Sequence, residues 1–415
     1  MGLLSGVKVL EFGMAVAAPH ACKLLAFMGA EVIKVESITH LDMLRRAGVS
    51  SEVGARIREM RPGEPLPPGT ILDTFVSNIT GLNKLGVTLD LTKPEAIELA
   101  KKLVARSDVV VENFRAKVME AYGLDYPVLK KINPNLIMLS TSLAGNTGPE
   151  RDYLGYMEIF GALGGLGHLT GYPDGPPTWI RFSTDTMSAA TAACAIMAAL
   201  IHKQRTGEGQ YIDLSSYEAV ACLSGDALLD YSMNRRNQSR QANLDDFMAP
   251  HSCYRCKGDD KWVSIVIATD EEWKAFCNAI GNPAWTKDER FTDANSRWQN
   301  QAEMDVFIQE WTMNYTHYEV MDILQKASVA AVPSFNSPEI WGDPHLDARG
   351  LTVIVDHPVL GAQPVLAPPW KLSRTPAKIS TAGPSLGQHN EYVFCELLGL
   401  SKQEFSKLVN IGAIR

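Results

Sequence analysis

The sequence predicts an α/β protein with a large doubly wound domain and a smaller α+β domain. Apolar strands alternate with helices along residues 1–220, and this alternation gives parallel βαβ units. Residues 225–335 have a different pattern of predicted secondary structure, in which a short strand pair is followed by tryptophan-containing helices. Residues 336–415 are rich in strands, turns and prolines and form no complete core, so they complete another part of the molecule.

Short apolar runs mark the strands of the large domain, and helical patterns separate them. Pro94 begins one helix at its first turn, and Gly29 ends another. The segment from about 45 to 70, rich in Arg, Gly and Pro, is predicted to be a long surface excursion. The predicted strands are residues 7–12, 32–36, 87–91, 108–112, 136–140 and 212–215, and the predicted helices are residues 17–29, 94–107, 117–122, 127–132 and 184–205.

The composition argues against several classes of function. A formal net charge of -8, with both signs mixed along the chain, gives no electrostatic case for binding nucleic acid. No stretch reaches the roughly 18 to 20 apolar residues of a membrane helix. The N-terminus lacks the basic and apolar regions of a signal peptide. Seven scattered cysteines, an odd number, indicate reduced thiols and a cytoplasmic protein.

Local motifs for metal or phosphate are weak. Cys253 and Cys256 form a CxxC-like pair, but a zinc site needs two more ligands and no second pair follows, so we expect no metal. The glycine-rich segment 161–171 lacks the spacing of either common phosphate-binding loop. Tight packing and turns are the simpler explanation for these glycines.

The end of the strand DVVVE carries the more suggestive residues. Asn113, Phe114 and Arg115 follow it, and ligands of open α/β sheets bind at the carboxyl ends of strands. An amide, an aromatic face and a guanidinium there could hold an adenine nucleotide. Equally, the asparagine could cap the next helix, the phenylalanine pack and the arginine be solvated. Lys84, just before another strand, could meet a phosphate or simply be a solvated lysine.

These residues belong to a series of ordered segments along nearly the whole chain that resembles the family III CoA-transferases, the group of formyl-CoA transferase and carnitine CoA-transferase. The series begins with VKVLEFGMAVAAPHACKLLAFMGAEVIKVE, continues through LNKLGVTLDL, DVVVENFR and HKQRTGEGQYIDLSS, and ends with DPHLDARGL, APPWKLSRTPA and SLGQHNEYVFCELLGL. The resemblance implies a Rossmann-like large domain built from both chain ends, with the small domain between them. It also implies an interlocked, ring-like dimer.

The resemblance also implies the substrates and their contacts. Coenzyme A and acyl-CoA would be substrates, exchanged with small-molecule acids. The positions that match the family's nucleotide site are the backbone near Ala17 and Ala18, the side chain of Lys84, and the turn of Asn113, Phe114 and Arg115. Lys84 and Arg115 would face phosphates, and Phe114 would touch the adenine.

One departure from the family pattern concerns the catalytic aspartate, which the resemblance places directly after a Gly-Tyr pair and a few residues before a stretch of small residues and glycines. Aligning Gly155 and Tyr156 with that pair places Met157 at the position of the aspartate. The family chemistry needs a carboxylate to attack the acyl-CoA thioester, and a thioether cannot replace it. An apolar rim of Met14, Val16 and Met157 would then suit an aryl or alkyl acyl group, although these side chains could also be plain core.

Three hypotheses follow from this alignment. In the first, the chain is the non-catalytic subunit of a heterodimer or 2:2 assembly with an aspartate-bearing paralogue. Succinyl-CoA:benzylsuccinate CoA-transferase of anaerobic toluene degradation is such a heteromer, and the chain resembles one of its subunits. In the second, Glu158 is the nucleophile of a self-sufficient enzyme. In the third, the chain is a non-catalytic acyl-CoA-binding regulator, or an isomerase related to the α-methylacyl-CoA racemases.

Overall fold

The computed structural model describes residues 2–46, 72–180 and 183–415, and these fall into two compact units. The large unit comprises Met1–Gly167, Trp179–Arg236 and Asp347–Arg415, and the small unit comprises His168–Thr178 and Asn237–Leu346. The predicted limits of the small domain, 225 and 335, fall shortly before the limits of its main segment. The predicted surface excursion lies almost entirely outside the described residues.

A six-stranded parallel sheet forms the centre of the large unit. Its strands are β1 (Lys8–Glu11), β2 (Glu31–Glu36), β3 (Lys84–Thr88), β4 (Val109–Glu112), β5 (Ile137–Ser142) and β6 (Tyr211–Ser215). The strand order is β3-β2-β1-β4-β5-β6, which is the order of Rossmann sheets and confirms the predicted fold class. Strands are added on one side of β1 up to β3 and then on its other side from β4 onwards. The carboxyl ends of β1 and β4 therefore border the switch point where ligands of such folds bind.

Helices cover both faces of this sheet, because its strands bury side chains on both sides. One face packs on helices that include α1 and α9, and the other packs on helices that include α4 and α6, together with the C-terminal segment. In chain order the helices of the large unit are α1 (Ala17–Phe27), α2 (Met43–Arg46), α3 (Phe75–Gly81), α4 (Pro94–Val104), α5 (Val118–Ala121), α6 (Tyr126–Ile132), α7 (Met157–Leu163), α8 (Leu166–Leu169, whose end enters the small unit), α9 (Ser183–Thr206), α10 (Ser216–Ala221) and α11 (Gly225–Asn234).

The long helix α9 confirms the helix predicted for residues 184–205. By length and composition it could cross a membrane, which the sequence estimate of apolar stretches had not anticipated. Its alanine-rich side is buried in the core that α1 and the sheet share, as in the core helix of a globular domain. Small side chains such as Ala189, Ala192 and Ala193 allow the two helices to approach closely.

The small unit packs a three-stranded antiparallel sheet, β7 (His251–Arg255), β8 (Trp262–Val266) and β9 (Ala330–Pro333), against helices with an aromatic core. Arg297 is buried in this core, where its guanidinium donates to Asp270 at 2.7 Å and lies 5.1 Å from the ring centre of Trp273. The helices are α12 (Asp270–Ala279), α13 (Ala294–Gln299), α14 (Gln301–Thr312), α15 (His317–Lys326), α16 (Ser337–Trp341) and α17 (Pro344–Ala348, which ends in the large unit).

The C-terminal segment adds a hairpin, β10 (Thr352–His357) and β11 (Gly361–Leu366), a π-helix (Tyr392–Leu397) and a last helix, α18 (Lys402–Asn410). Val393, Phe394 and Ile414 lie in the same core as the β1, β2 and β4 side chains on that face. Gly86 of β3 lies so close to Pro384 that a Cβ there would come within 2.7 Å of the proline ring. The segment therefore completes the large unit and does not form a core of its own.

Candidate active site

The turn between β1 and α1 lies at the switch point of the sheet. Gly13 allows the turn to close, because a Cβ at this position would come within 2.9 Å of the side chains of Ala18 and Pro19. Helix α1 begins at Ala17, and no side chain at its N-cap, Val16, accepts a hydrogen bond from its first turn. The first N–H groups of a helix have no partner within it, so this end is suited to an anion.

Asn113 holds this turn and does not extend into solvent. Its side-chain oxygen accepts from the N–H of Met14 at 2.8 Å, and its amide nitrogen donates to the carbonyl of Met14 at 2.8 Å. Phe114 is half-buried against the core, and Arg115 is exposed. The structure thus brings five of the predicted positions, Asn113–Arg115 and the backbone of Ala17 and Ala18, to one edge of the sheet.

Lys84 corrects one expectation from the sequence. It was expected to be an exposed lysine, but it is only 2% exposed. Its ammonium donates to Glu11 at 2.7 Å and to the carbonyl of Pro19 at 2.7 Å. A buried ammonium needs such partners, and the sequence could not identify a glutamate 73 residues away as one of them. A contact with phosphate, which stays a prediction, would require this ion pair to open.

Further buried charges surround this pair near the ends of β1 and β2. Burial would lower the pKa of Lys34, but Glu36, Glu11 and Asp42 outweigh it and raise that pKa. Burial alone would raise the pKa of Glu36, but the charge of Lys34 and two hydrogen bonds from Arg45, at 2.7 and 2.8 Å, lower it. The result is a buried network whose charges are compensated by ion pairs and fixed in position.

A cleft of about 530 Å³ opens beside β4, β5 and β6. Glu112 forms part of its wall and is buried, and this burial raises its pKa to about 7 against the opposing effect of hydrogen bonds from Ser140 and from the N–H of Phe114. Tyr126 and Tyr211 stack with ring centres 5.4 Å apart at the same cleft. The sequence signal for this feature was an acid at the end of an apolar strand.

Met157 is the first residue of α7 and is half-buried. The hydroxyl of Thr184 donates to its carbonyl at 2.6 Å, which joins the starts of α7 and α9. Glu158 lies in the first turn of α7 and Asp185 in the first turn of α9. Burial and the charge of Glu158 raise the pKa of Asp185 to about 6. A shared apolar rim of Met157, Met14 and Val16 stays a prediction.

Asp174 lies in a tight turn of the small unit that the sequence predictions passed over. The N–H of Gly175 donates to the carbonyl of Tyr172 at 3.0 Å, so Pro173 and Asp174 occupy the centre of a β-turn. Asp174 is exposed, and its carboxylate has no hydrogen-bond partner among the described residues. The signal was a second Gly-Tyr pair, beginning at Gly171, which is followed after one proline by an aspartate.

Comparison with known families decides the identity of the chain. The model of CoA-transferase family III matches residues 4–390. The chain belongs to CoA-transferase family III. The resemblance inferred from the sequence is therefore confirmed, and CoA thioesters are the substrates of this family. Among the described residues, no group of three or more His, Cys, Asp or Glu is placed to hold a metal ion.

Curated relatives of this family III protein cover nearly its whole length. It is 34% identical to the succinyl-CoA–L-malate CoA-transferase beta subunit of Chloroflexus aurantiacus, over 98% of this chain and 96% of that one. It is 36% identical to the succinyl-CoA–D-citramalate CoA-transferase of the same organism, with the same coverage. The alpha subunit of the L-malate enzyme is 32% identical, over 98% of this chain and 91% of that one.

Solved structures of the family have the same fold. A CAIB/BAIF family protein from Brucella suis has a TM-score of 0.83 and 29% identity, covering 95% of this chain and 99% of that one. An aspartate-to-alanine variant of Rv3272 from Mycobacterium tuberculosis has a TM-score of 0.76 and 26% identity, covering 95% and 98%. These likenesses support the fold of both units.

Proposed function

We propose that this protein transfers coenzyme A from succinyl-CoA to a short dicarboxylic acid. The structural observation that carries the proposal is the uncapped start of α1 at the switch point, formed by the buried Ala17 and Ala18. The curated relatives suggest the donor and the acceptor of the CoA group, because their names give succinyl-CoA as the donor and L-malate or D-citramalate as the acceptor. Both acceptors are dicarboxylates that carry a hydroxyl group.

The nucleotide would bind at the β1–α1 turn. The backbone N–H groups of Ala17 and Ala18 would meet a phosphate, because a helix start carries partial positive charge and unpaired donors. Arg115 would add a charge-assisted contact from the neighbouring β4 turn. Phe114 would contact the adenine through whatever part of its ring is not packed against the core.

The transfer itself needs a carboxylate nucleophile. A carboxylate oxygen attacks the thioester carbon of succinyl-CoA, the carbon–sulfur bond breaks, and CoA leaves as a thiolate. The thiolate then attacks the enzyme carbonyl of the mixed anhydride, giving an enzyme thioester and succinate. The acceptor acid attacks this thioester, CoA leaves again, and its thiolate finally takes the acceptor acyl group and frees the enzyme carboxylate.

Asp174 is our first candidate for this nucleophile. It is exposed at the centre of a tight turn, and no hydrogen bond from the described residues occupies its carboxylate. One solved relative is an aspartate-to-alanine variant, which draws attention to aspartates in this family. With Asp174 as nucleophile, the methionine at 157 would not disable the chain, and the protein would be a self-sufficient enzyme.

A second candidate is the heteromer predicted from the Met157 alignment. It is favoured by the relatives that occur as alpha and beta subunits, both of which match this chain over nearly its full length. In that case an aspartate-bearing paralogue would supply the nucleophile in a heterodimer or 2:2 assembly. Glu158, with Asp185 nearby, is the third source of a carboxylate.

The acceptor and the compartment are further proposals. Benzylsuccinate is also a dicarboxylate, and an apolar rim of Met14, Val16 and Met157 would favour its aryl group over the hydroxyl of L-malate. The relatives named above do not include a benzylsuccinate enzyme. All seven cysteines are unpaired, which is consistent with a reducing cytoplasm.

The deciding experiment measures CoA transfer from succinyl-CoA to L-malate, D-citramalate and benzylsuccinate. The chain is assayed alone, with a paralogous subunit, and as Asp174→Asn. Asp259→Asn is the matched control, because Asp259 is also an exposed loop aspartate of the small unit. Activity of the chain alone that Asp174→Asn abolishes and Asp259→Asn preserves would support a self-sufficient enzyme. Activity only in the mixture would support the heteromer, and activity in neither would refute the transfer proposal.

A further inference from the structure

The β1–α1 turn contains a residue in an unfavourable backbone conformation. Ala15 has a φ of 56°, in the left-handed region that residues other than glycine rarely adopt. Such a conformation persists only when surrounding contacts hold it. Because the turn leads directly into α1, the conformation of Ala15 decides where the first N–H groups of that helix point.

Two side chains from outside the turn hold this conformation. Asn113 forms hydrogen bonds to both backbone groups of Met14, each at 2.8 Å. Asp42 accepts from the N–H of Ala15 at 3.1 and 3.2 Å with its two oxygens. The two anchors thus fix consecutive residues of the turn, one from the end of β4 and the other from the segment after β2.

Asp42 is itself fixed by the buried network. It accepts from the N–H of Leu44 at 3.0 Å and from the ammonium of Lys34 at 3.3 Å. Only 4% of Asp42 is exposed, so its carboxylate is directed to these groups and not to solvent. The buried ion pairs therefore do more than neutralise one another, because they also orient the carboxylate of Asp42 toward the backbone of the turn.

We infer that Asn113 and Asp42 are positioning residues, which set the turn so that the start of α1 faces the phosphate of the CoA nucleotide. The inference rests on the proposed function, and it changes the role that the sequence predicted for one residue. Asn113 was predicted to contact the nucleotide, but its amide is used by Met14. It acts on the ligand through the turn.

The test combines removal of an anchor with relief of the strain. Asn113→Ala removes both bonds to Met14, and Asn113→Asp keeps the acceptor but loses the donor. We expect the Kd for CoA and the KM for succinyl-CoA to rise about tenfold in Asn113→Ala and less in Asn113→Asp, with a smaller effect on kcat. Adding Ala15→Gly should restore part of the affinity, because glycine adopts a positive φ without the cost.

Asn133→Ala is the matched control. Asn133 also donates twice to the backbone, to the carbonyls of Val104 and Ser107 at 3.3 and 2.7 Å, but away from the switch point. We expect this variant to lose similar stability while its Kd for CoA stays unchanged. Asp42→Ala is the second anchor variant, and the Asn113 series keeps the test valid if Asp42→Ala does not fold.

Two results would overturn the inference. One is a Kd for CoA in Asn113→Ala that equals that of Asn133→Ala. The other is a loss of affinity that Ala15→Gly does not restore, since Asn113 would then contact the nucleotide itself. Calorimetry measures the Kd for CoA even if the protein transfers CoA to none of the acceptor acids. Binding without turnover would thus separate a failure of the proposed transfer from a failure of the inference.

Discussion

Replacing Lys84 by methionine should destabilise the protein strongly. The substitution shortens the side chain by one heavy atom and removes the charge that Glu11 meets at 2.7 Å. Both side chains are completely buried. One oxygen of Glu11 already lacks a hydrogen-bond partner among the described residues. Breaking a buried ion pair on one side costs about 3–5 kcal/mol when the remaining charge stays uncompensated. Lys34, whose ammonium lies 4.0 Å from the other oxygen of Glu11, compensates part of that charge, so we expect the lower end of this range.

The double variant Lys84→Met/Glu11→Met is the informative comparison. Replacing a buried pair by apolar side chains is often nearly neutral, so the double variant should recover most of the lost free energy of unfolding. Denaturant titration of the wild type, both single variants and the double variant gives the coupling energy directly. A double variant as unstable as the sum of the single variants would refute the ion-pair account.

Three further predictions concern other ionisable groups. Burial raises the pKa of Glu112 to about 7, so ionising it in the folded protein destabilises the fold increasingly as pH rises from about 4.5 to above 7. Glu112→Gln should remove this pH-dependent loss, which amounts to up to about 3 kcal/mol. The free energy of unfolding of both proteins, measured at pH 5 and pH 8, tests this. Glu158→Gln should lower the pKa of Asp185 from about 6, which NMR titration of its carboxyl would report, while an unchanged pKa would exclude the charge of Glu158 as a cause. Asp270→Asn should cost about 3 kcal/mol or more in stability of the small unit, because it leaves the buried guanidinium of Arg297 without its carboxylate. Arg297→Met should cost less through the lost ion pair, because the side chain of Asp270 that remains is 47% exposed; equal losses would contradict the assigned burial.

The large domain was predictable because its strands are buried on both faces. Continuous apolar runs such as DVVVE stand out in the sequence, and the observed β4 and β6 differ from the predictions by one residue. The strand predicted at 87–91 instead spans Lys84–Thr88, since the polar Lys84 appeared to precede it. A lysine is read as an exposed residue unless its partner is known.

The site was less predictable because its contacts join distant parts of the chain. Asn113 and Met14 are 99 residues apart, and Ala15 and Asp42 are 27 apart. Sequence spacing within one segment cannot reveal such pairs. Asp174 differs, because its turn lies within one short segment, residues 172–175, and the sequence prediction assigned the aspartate position to Met157.

The most direct measurement is to locate the enzyme-bound CoA thioester. The protein is incubated with succinyl-CoA and no acceptor, trapped with hydroxylamine, digested and analysed by mass spectrometry. A self-sufficient enzyme predicts a hydroxamate on the peptide that contains Asp174, and no modification in Asp174→Asn. Modification of Glu158, or of a paralogous subunit only, would contradict the assignment of the nucleophile to Asp174.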